Sequence, residues 1–311
     1  MGLIRKEDLH ESLLNSLNNP NLLINGDFRF WRRGNNFTTS NSYIYTADRW
    51  MINDGTVNKC DFGIKIQRSD NSKEVNFQQF VEDIQILKGK TLTLSWESKI
   101  NKSMDIKCFI FSFTSDNIPV ELVDKIETYD SSLNIQKHSI TFKIPEDLNT
   151  TCSNLCIRLI RTTSEAELSI ELGNIKLEIG DHPTEFVPRP YGEELTLCQR
   201  YFKIIDNNIA IPLAYYYDLN DKRIFDFYLS LSTPLRINPT VKTDVGTNVM
   251  MKDLLNDKKV NVDSITILGV ASFRNTASYL NIRTSIPLDT NVKIVTLFPS
   301  GGNAYLDAEI Y

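Results

Sequence analysis

The sequence predicts an all-β chain: a short N-terminal helix, a jelly-roll β-sandwich, and then a second β-sandwich-like domain. Three observations predict this class. Short runs from Asn21 onward alternate apolar and polar residues with period two, and polar turns separate them. No amphipathic helix intervenes between these runs, and strands at this spacing belong to sandwiches. The 311 residues are 41% hydrophobic and 23% charged, a globular composition with chain enough for two ordinary domains or one large all-β domain.

The elements follow in order. Within residues 1–20, a helix is expected over 3–18, because Leu9, Leu13 and Leu17 repeat at i, i+4 and i+8 with Ile4 and Leu14 beside them. Such a stripe is too short to hold alone in water, so it needs a partner, either the next domain or copies of itself. The Asn18–Asn21 stretch, with Pro20, then breaks it. The sandwich is assigned to 21–192, with strands expected in Phe62–Gln67, Thr91–Glu97, Ile106–Phe113, His138–Ile144, Leu155–Arg161 and Leu168–Ile179. Leu92, Leu94 and Trp96 take one side of their strand, with Thr91, Thr93, Ser95 and Glu97 on the other, as in an antiparallel sheet with one wet face. Pro183, Pro188 and Pro190 crowd the exit, a short helix is expected within Glu193–Phe202, and the boundary is placed there.

The second domain is assigned to 193–311, with β runs at Ile209–Tyr217, Ile224–Leu231, Ser264–Phe273, Ser278–Thr284, Val292–Leu297 and Ala304–Tyr311. Phe225, Phe227, Leu229 and Leu231 form an apolar face, so Asp226, Tyr228 and Ser230 are expected to point the other way. Gly301, Gly302 and Asn303 mark a turn before the last strand.

Bulk chemistry narrows the function classes. A formal charge of −5 argues against a nucleic-acid surface. No apolar run reaches membrane-span length, and Met1–Asp8 is charged where a signal peptide needs apolar residues, so synthesis in a cytoplasm is expected. Five cysteines, an odd number without repeated Cys-x-x-Cys spacing, read as reduced, mostly buried thiols. His10, His138 and His182 are too widely separated to supply a zinc site. No metal and no cofactor is expected.

Two segments frame the first domain and read as its opening and closing strands: Asn21–Gly34 (NLLINGDFRFWRRG) with Tyr45–Trp50 (YTADRW), and Leu177–Phe202 (LEIGDHPTEFVPRPYGEELTLCQRYF). The opening resembles the start of the carbohydrate-binding-module-like domain of bacteriophage tail fibres and receptor-binding proteins. Gln79–Asp83 and Leu87–Trp96 are similar to that family's middle segment, and the closing segment carries the most specific part of the resemblance. Pro234–Arg236, Asn238–Thr240 and Asn303–Glu309 are similar to the tip domain that often follows. The resemblance implies a homotrimer in a virion tail, or in a phage-derived bacteriocin, that binds bacterial surface polysaccharide and attaches to other tail or baseplate proteins through its N-terminus. The opening also resembles sugar-binding modules in which a carboxylate after the Phe helps hold calcium. Here Arg29 follows Phe28 and Asp27 is the nearby carboxylate, so no inherited calcium site is expected.

Several residues admit two readings. Trp31, Trp50 and Trp96 are sugar-stacking platforms or core residues, and core is the better reading because Trp96 lies on the apolar side of its strand. Arg32 and Arg33, with Asp48 and Arg49, form an anion site, or the first turn pairs internally with Asp48 or Glu178; the internal pairing is favoured. Arg189 and Arg200 are assigned to the joint between domains. Tyr215–Asp218 cannot bury three successive tyrosines on one side, which makes Tyr216, Asp226 and Tyr228 the candidate ligand-binding residues; a subunit interface is the other reading of this cluster and the favoured one. No nucleophile elbow, His-Glu-x-x-His or phosphate loop occurs, so no catalytic residue is assigned. The function expected is non-catalytic recognition of cell-surface glycan during host adsorption. The alternatives are a virion polysaccharide depolymerase and a structural tail spacer without ligand.

Overall fold

The computed structural model describes residues 20–68, 74–162, 168–205, 211–219, 222–237, 239–243, 248–253, 258–261, 264–273, 276–287, 295–300 and 304–309. The helix expected at 3–18 and the turn at 301–303 lie outside the described residues. The protein is all-β, and the chain divides after Glu194 into two units.

The first unit contributes β1 (Asn36–Thr39), β2 (Ile44–Tyr45), β3 (Met51–Ile52), β4 (Gly55–Cys60), β5 (Gly63–Arg68), β6 (Val75–Glu82), β7 (Thr91–Ile100), β8 (Met104–Phe113), β9 (Pro119–Tyr129), β10 (Ser132–Lys143), β11 (Asn154–Thr162) and β12 (Leu168–Ile179). Among the described residues these form two six-stranded antiparallel sheets, ordered β1-β4-β5-β12-β7-β10 and β2-β3-β6-β11-β8-β9. The last strand, β12, inserts between β5 and β7, so the chain crosses from sheet to sheet as a jelly roll does.

Period-two alternation fills the space between the sheets. Leu92, Leu94 and Trp96 of β7 and Ile170 and Leu172 of β12 come from one sheet; Ile106, Cys108 and Ile110 of β8 and Leu155 and Ile157 of β11 come from the other. All belong to one buried cluster that also holds Trp31 and Trp50, so the three tryptophans are core residues. Trp50 stacks on Phe77 with ring centroids 5.0 Å apart, and Phe28 lies 5.3 Å from Trp50. Such aromatic pairs add about 0.5–1.5 kcal/mol each beyond their buried area.

The framing segments meet, and the closing one starts in the last residues of β12, but the opening Asn21–Gly34 stretch is not a strand. Asn25 and Phe28 have left-handed φ of 58° and 55°, which breaks extended structure, and the first described strand begins at Asn36. Asn21 replaces a ladder with its side chain: Nδ2 donates to the Ile175 carbonyl, while Oδ1 accepts from the Leu177 and Leu23 amides. A Cβ on Gly26 would lie 2.1 Å from the Ile175 oxygen, so only glycine permits this approach to β12. The buried Asn25 amide donates to the Phe30 and Asp48 carbonyls, and Trp50 Nε1 donates to the Asn25 carbonyl.

Asp48, 1% exposed, accepts from the Arg32 backbone amide at 3.1 Å and pairs with both the Arg32 and Arg33 guanidiniums. This is the internal pairing favoured for those arginines. Glu178 pairs with Lys176 instead. Asp27 is held by Arg29 at 2.5 Å. Arg189 acts inside the first unit, donating to the Asn21 and Leu23 carbonyls and to Glu194.

In the second unit, α1 (Tyr191–Gln199) contains the division point and leads to β13 (Phe202–Ile205), β14 (Ile211–Leu219), β15 (Lys222–Leu235), β16 (Thr240–Thr243), β17 (Asn248–Asp253), β18 (Lys258–Asn261), β19 (Ser264–Phe273), β20 (Thr276–Pro287), β21 (Val295–Ser300) and β22 (Ala304–Asp307). Among the described residues they pair as β13-β22-β16 and β18-β17-β21-β14-β15-β20-β19. No described helix is long and apolar enough to cross a membrane.

Candidate functional site

Tyr216, Asp226 and Tyr228 lie on the neighbouring strands β14 and β15, where Tyr216 faces Phe225 across the pair and Tyr215 faces Asp226. Tyr228 is opposite Asn281 on β20. The expectation that Asp226 lies on an outward face is corrected: it is 0% exposed, and so are Phe227 and, within 1%, Phe225. Both faces of β15 are covered at this point, and a buried carboxylate is closed to an incoming sugar. Ser230, further along the same strand, is exposed as expected. For Tyr216 and Tyr228 the structure describes the backbone alone.

A different surface gathers ligand-binding chemistry, on the outer face of the β2-β3-β6-β11-β8-β9 sheet. β8 sends Ile106, Cys108 and Ile110 into the core, so Lys107, Phe109, Phe111 and Phe113 fall on the opposite side. Phe109 and Phe111 centroids are 4.8 Å apart, and Phe113 meets Phe111 edge-on at 5.0 Å. Antiparallel register then brings residues from remote segments into the same rows. Met51 is opposite Gln78, Gln78 opposite Arg158, Arg158 opposite Phe109, and Phe109 opposite Asp124.

Arg158 is the centre of this face. Its guanidinium carbon sits 4.9 Å from the Phe111 centroid and 6.0 Å from that of Phe109, within cation–π range. Nε donates to Gln78 Oε1 at 2.7 Å, and Nη2 donates to the Tyr43 hydroxyl at 3.2 Å. These bonds engage two of the five N–H donors of a guanidinium and fix its plane. Phe111 is 2% exposed beneath it, whereas Phe113 and Tyr43 reach solvent at 38% and 41%. The arrangement offers the partly exposed Phe109 and Phe113 rings, an oriented planar cation and a phenol along one sheet surface, with Phe111 and Gln78 buried beneath as supports.

The nearby thiols are inert. Cys156, opposite Phe111, is buried and free, and burial raises its thiol pKa far above the ordinary value. Burial pushes Cys108 up to about 12. All five cysteines are thiols outside any disulfide and four of them are buried, as the sequence predicts. Among the described residues no group of three or more His, Cys, Asp or Glu side chains gathers around a metal-sized space.

Sequence reasoning passed over this face although part of its signal was visible. Three phenylalanines at i, i+2 and i+4 share one side of β8, but Ile106, Cys108 and Ile110 make the other side apolar too, so alternation alone does not tell which side faces solvent.

No protein-family model matches the chain, and no curated protein matches it. Several solved structures are similar in part. The N-terminal cellulose-binding domain of β-1,4-glucanase C from Cellulomonas fimi is 12% identical, with 50% of this chain and 95% of that one covered at a TM-score of 0.32. The C-terminal family 22 carbohydrate-binding module of Clostridium thermocellum Xyn10B is 9% identical, with 48% and 100% covered at 0.35. The enzymatically active domain of tailspike protein 4 from bacteriophage CBA120 is 14% identical, with 51% and 21% covered at 0.34.

Proposed function

We propose that this chain is a non-catalytic receptor-binding protein of a bacteriophage or phage-derived bacteriocin tail, holding bacterial surface glycan on the outer face of β6, β11 and β8. The observation that carries the reading is Arg158, laid over Phe109 and Phe111 and oriented by Gln78 and Tyr43. A pyranose has an apolar C–H face and a rim of hydroxyls. Aromatic rings take the first, and fixed planar donors and acceptors take the second. The tail assignment is supported by the resemblance of Asn21–Gly34 and Leu177–Phe202, two segments that the Asn21, Gly26 and Arg189 contacts join in one closure of the sandwich.

One such face binds sugar weakly. Copies presented together on a repetitive surface raise the overall avidity without new contacts. A homotrimer attached through residues 1–20 supplies those copies. The chain therefore acts at the bacterial surface as part of the virion tail.

Binding of the labelled full chain to an array of bacterial surface polysaccharides tests this reading. The expected result is binding to a restricted set of glycans, weakened at least tenfold in Arg158→Gln, with no oligosaccharide released from the bound polymer. Absence of binding to any glycan, or identical binding by the variant, overturns the assignment of this face. Release of oligosaccharide overturns the non-catalytic reading, and a monomeric mass in solution overturns the trimer.

A further inference from the structure

The opposite sheet carries a cleft. A cleft of about 490 Å³ lies in the first unit, bordered by β7, β10, β12 and the exit segment, a volume within the range of small-molecule pockets. Its walls are built from both sequence-distant strands and the proline-rich exit. Glu97 of β7, 19% exposed, accepts a hydrogen bond from Asn174 Nδ2 at 2.7 Å, and Lys137 Nζ of β10 lies 3.7 Å from the same carboxylate. Asn174 reaches Glu97 because it stands at the register shift of β12 with φ of 50°, a conformation asparagine tolerates better than most residues. Ser95, Ser139 and Phe186 also line the space.

The far wall is locked by charges taken out of water. Lys176 and Glu178 are 2% and 0% exposed and lie 3.2 Å apart. Glu178 accepts from the Thr184 amide and hydroxyl at 2.8 and 2.6 Å, while Lys176 donates to the Thr184 hydroxyl and to the Glu185 carbonyl. Burying two charges is costly unless every lone pair and proton is met, and here the partners are supplied by the segment that forms the wall. The cleft is therefore held open by the fold itself, so a ligand entering it has little ordering to pay for.

Its charge selects the ligand. Lys137 faces Glu97, and Glu185 adds a second carboxylate to the lining. His138, also in the lining, stacks on Trp96 at 5.2 Å, lies against Tyr129, and shares a hydrogen bond with Ser98 through Nε2. Burial depresses its pKa, which disfavours the charged imidazolium. The remaining charges leave a small excess of carboxylate. Donors, acceptors and the Phe186 ring then favour an uncharged polyhydroxylated ligand over an acidic one.

We infer that the sandwich has a second, independent saccharide site in this cleft, taking a neutral mono- or disaccharide unit, so that one subunit engages a glycan on both of its sheets. The class of ligand rests on the glycan-binding reading above; the location does not.

Saturation-transfer NMR on the full chain tests it, using glucose, galactose, N-acetylglucosamine, lactose and cellobiose as probes, with glucuronic acid as the acidic control. The expected result is transfer to at least one neutral probe that is still present in Arg158→Gln, is reduced at least tenfold when Ser139→Trp or Asn174→Gly is added to Arg158→Gln, and is absent for glucuronic acid. Ser139 is exposed, so tryptophan there fills the cleft without disturbing the core, and glycine keeps the backbone of position 174 while removing its amide. Native dispersion of the variant spectra establishes folding. No transfer to any neutral probe overturns the inference, as does transfer that both cleft substitutions leave unchanged in the Arg158→Gln background. Loss in Arg158→Gln alone also overturns it, because all binding then belongs to the other sheet.

Discussion

Replacing Asp48 by alanine removes the carboxylate that pairs two largely buried guanidiniums. Asp48 is 1% exposed and meets the Arg32 and Arg33 side chains, themselves only 14% and 11% exposed, as well as the Arg32 backbone amide. Removing one partner of a buried ion pair costs about 3–5 kcal/mol, because the remaining charge stays where water does not reach it. An unpaired buried N–H adds about 1–3 kcal/mol taken separately. These terms share one network and do not sum, and slight exposure lets the guanidiniums regain some water, so a loss of about 3–4 kcal/mol is expected. All three tryptophans lie in the first unit, so urea unfolding followed by tryptophan fluorescence reads that unit alone. A midpoint shift equivalent to less than about 1 kcal/mol at unchanged m-value would refute the claim that Asp48 closes the opening segment.

Other outcomes follow from the same geometry. Gly26→Ala places a methyl against the Ile175 carbonyl at 2.1 Å and should cost at least about 1–3 kcal/mol in the same urea assay; an unchanged midpoint would show that the opening is free to shift. Burial lowers the His138 pKa below its ordinary 6.5, so the unfolded chain binds the proton more readily than the folded one. Stability is then full above pH 6.5 and falls as pH drops from 6.5 toward the depressed folded value; thermal scans across that window should show the decline in the wild type and a shallower one in His138→Gln. Timed iodoacetamide labelling of the native chain followed by peptide mapping should modify Cys60, half-buried, before the buried Cys108, Cys152, Cys156 and Cys198. Equal rates at all five positions would contradict the burial assigned to them.

How far the sequence carried is visible residue by residue. Trp96 was readable as core because β7 alternates without interruption from Thr91 to Ile100. β9 was not readable: a register shift opposite Ile110 and Phe111 puts Val120, Leu122 and Val123 all against the core, which erases the period-two signal. The opening segment read as a strand because its apolar content is strand-like, whereas the left-handed residues Asn25 and Phe28 depend on contacts with Asp48, Trp50 and Glu194 made only in the fold.

Asp226 shows the limit of alternation. The pattern tells which side of a strand a residue takes, and it is silent on whether that side is covered. The glycan-binding face shows a second limit. Phe109, Phe111 and Phe113 are neighbours in sequence, but Gln78 and Tyr43 reach Arg158 across 80 and 115 residues, and only strand order and register bring them together. The cleft on the other sheet is legible in the same partial way, since Glu97 and Asn174 meet only through the irregularity in β12.

The most direct test of the central claim is calorimetric titration of the folded full chain with the bacterial polysaccharide it binds best, in the wild type and in Arg158→Gln and Phe109→Ala. A glycan-binding face centred on Arg158 predicts at least a tenfold weaker affinity in each variant with the unfolding midpoint preserved. Affinity within twofold of the wild type in both variants would contradict it.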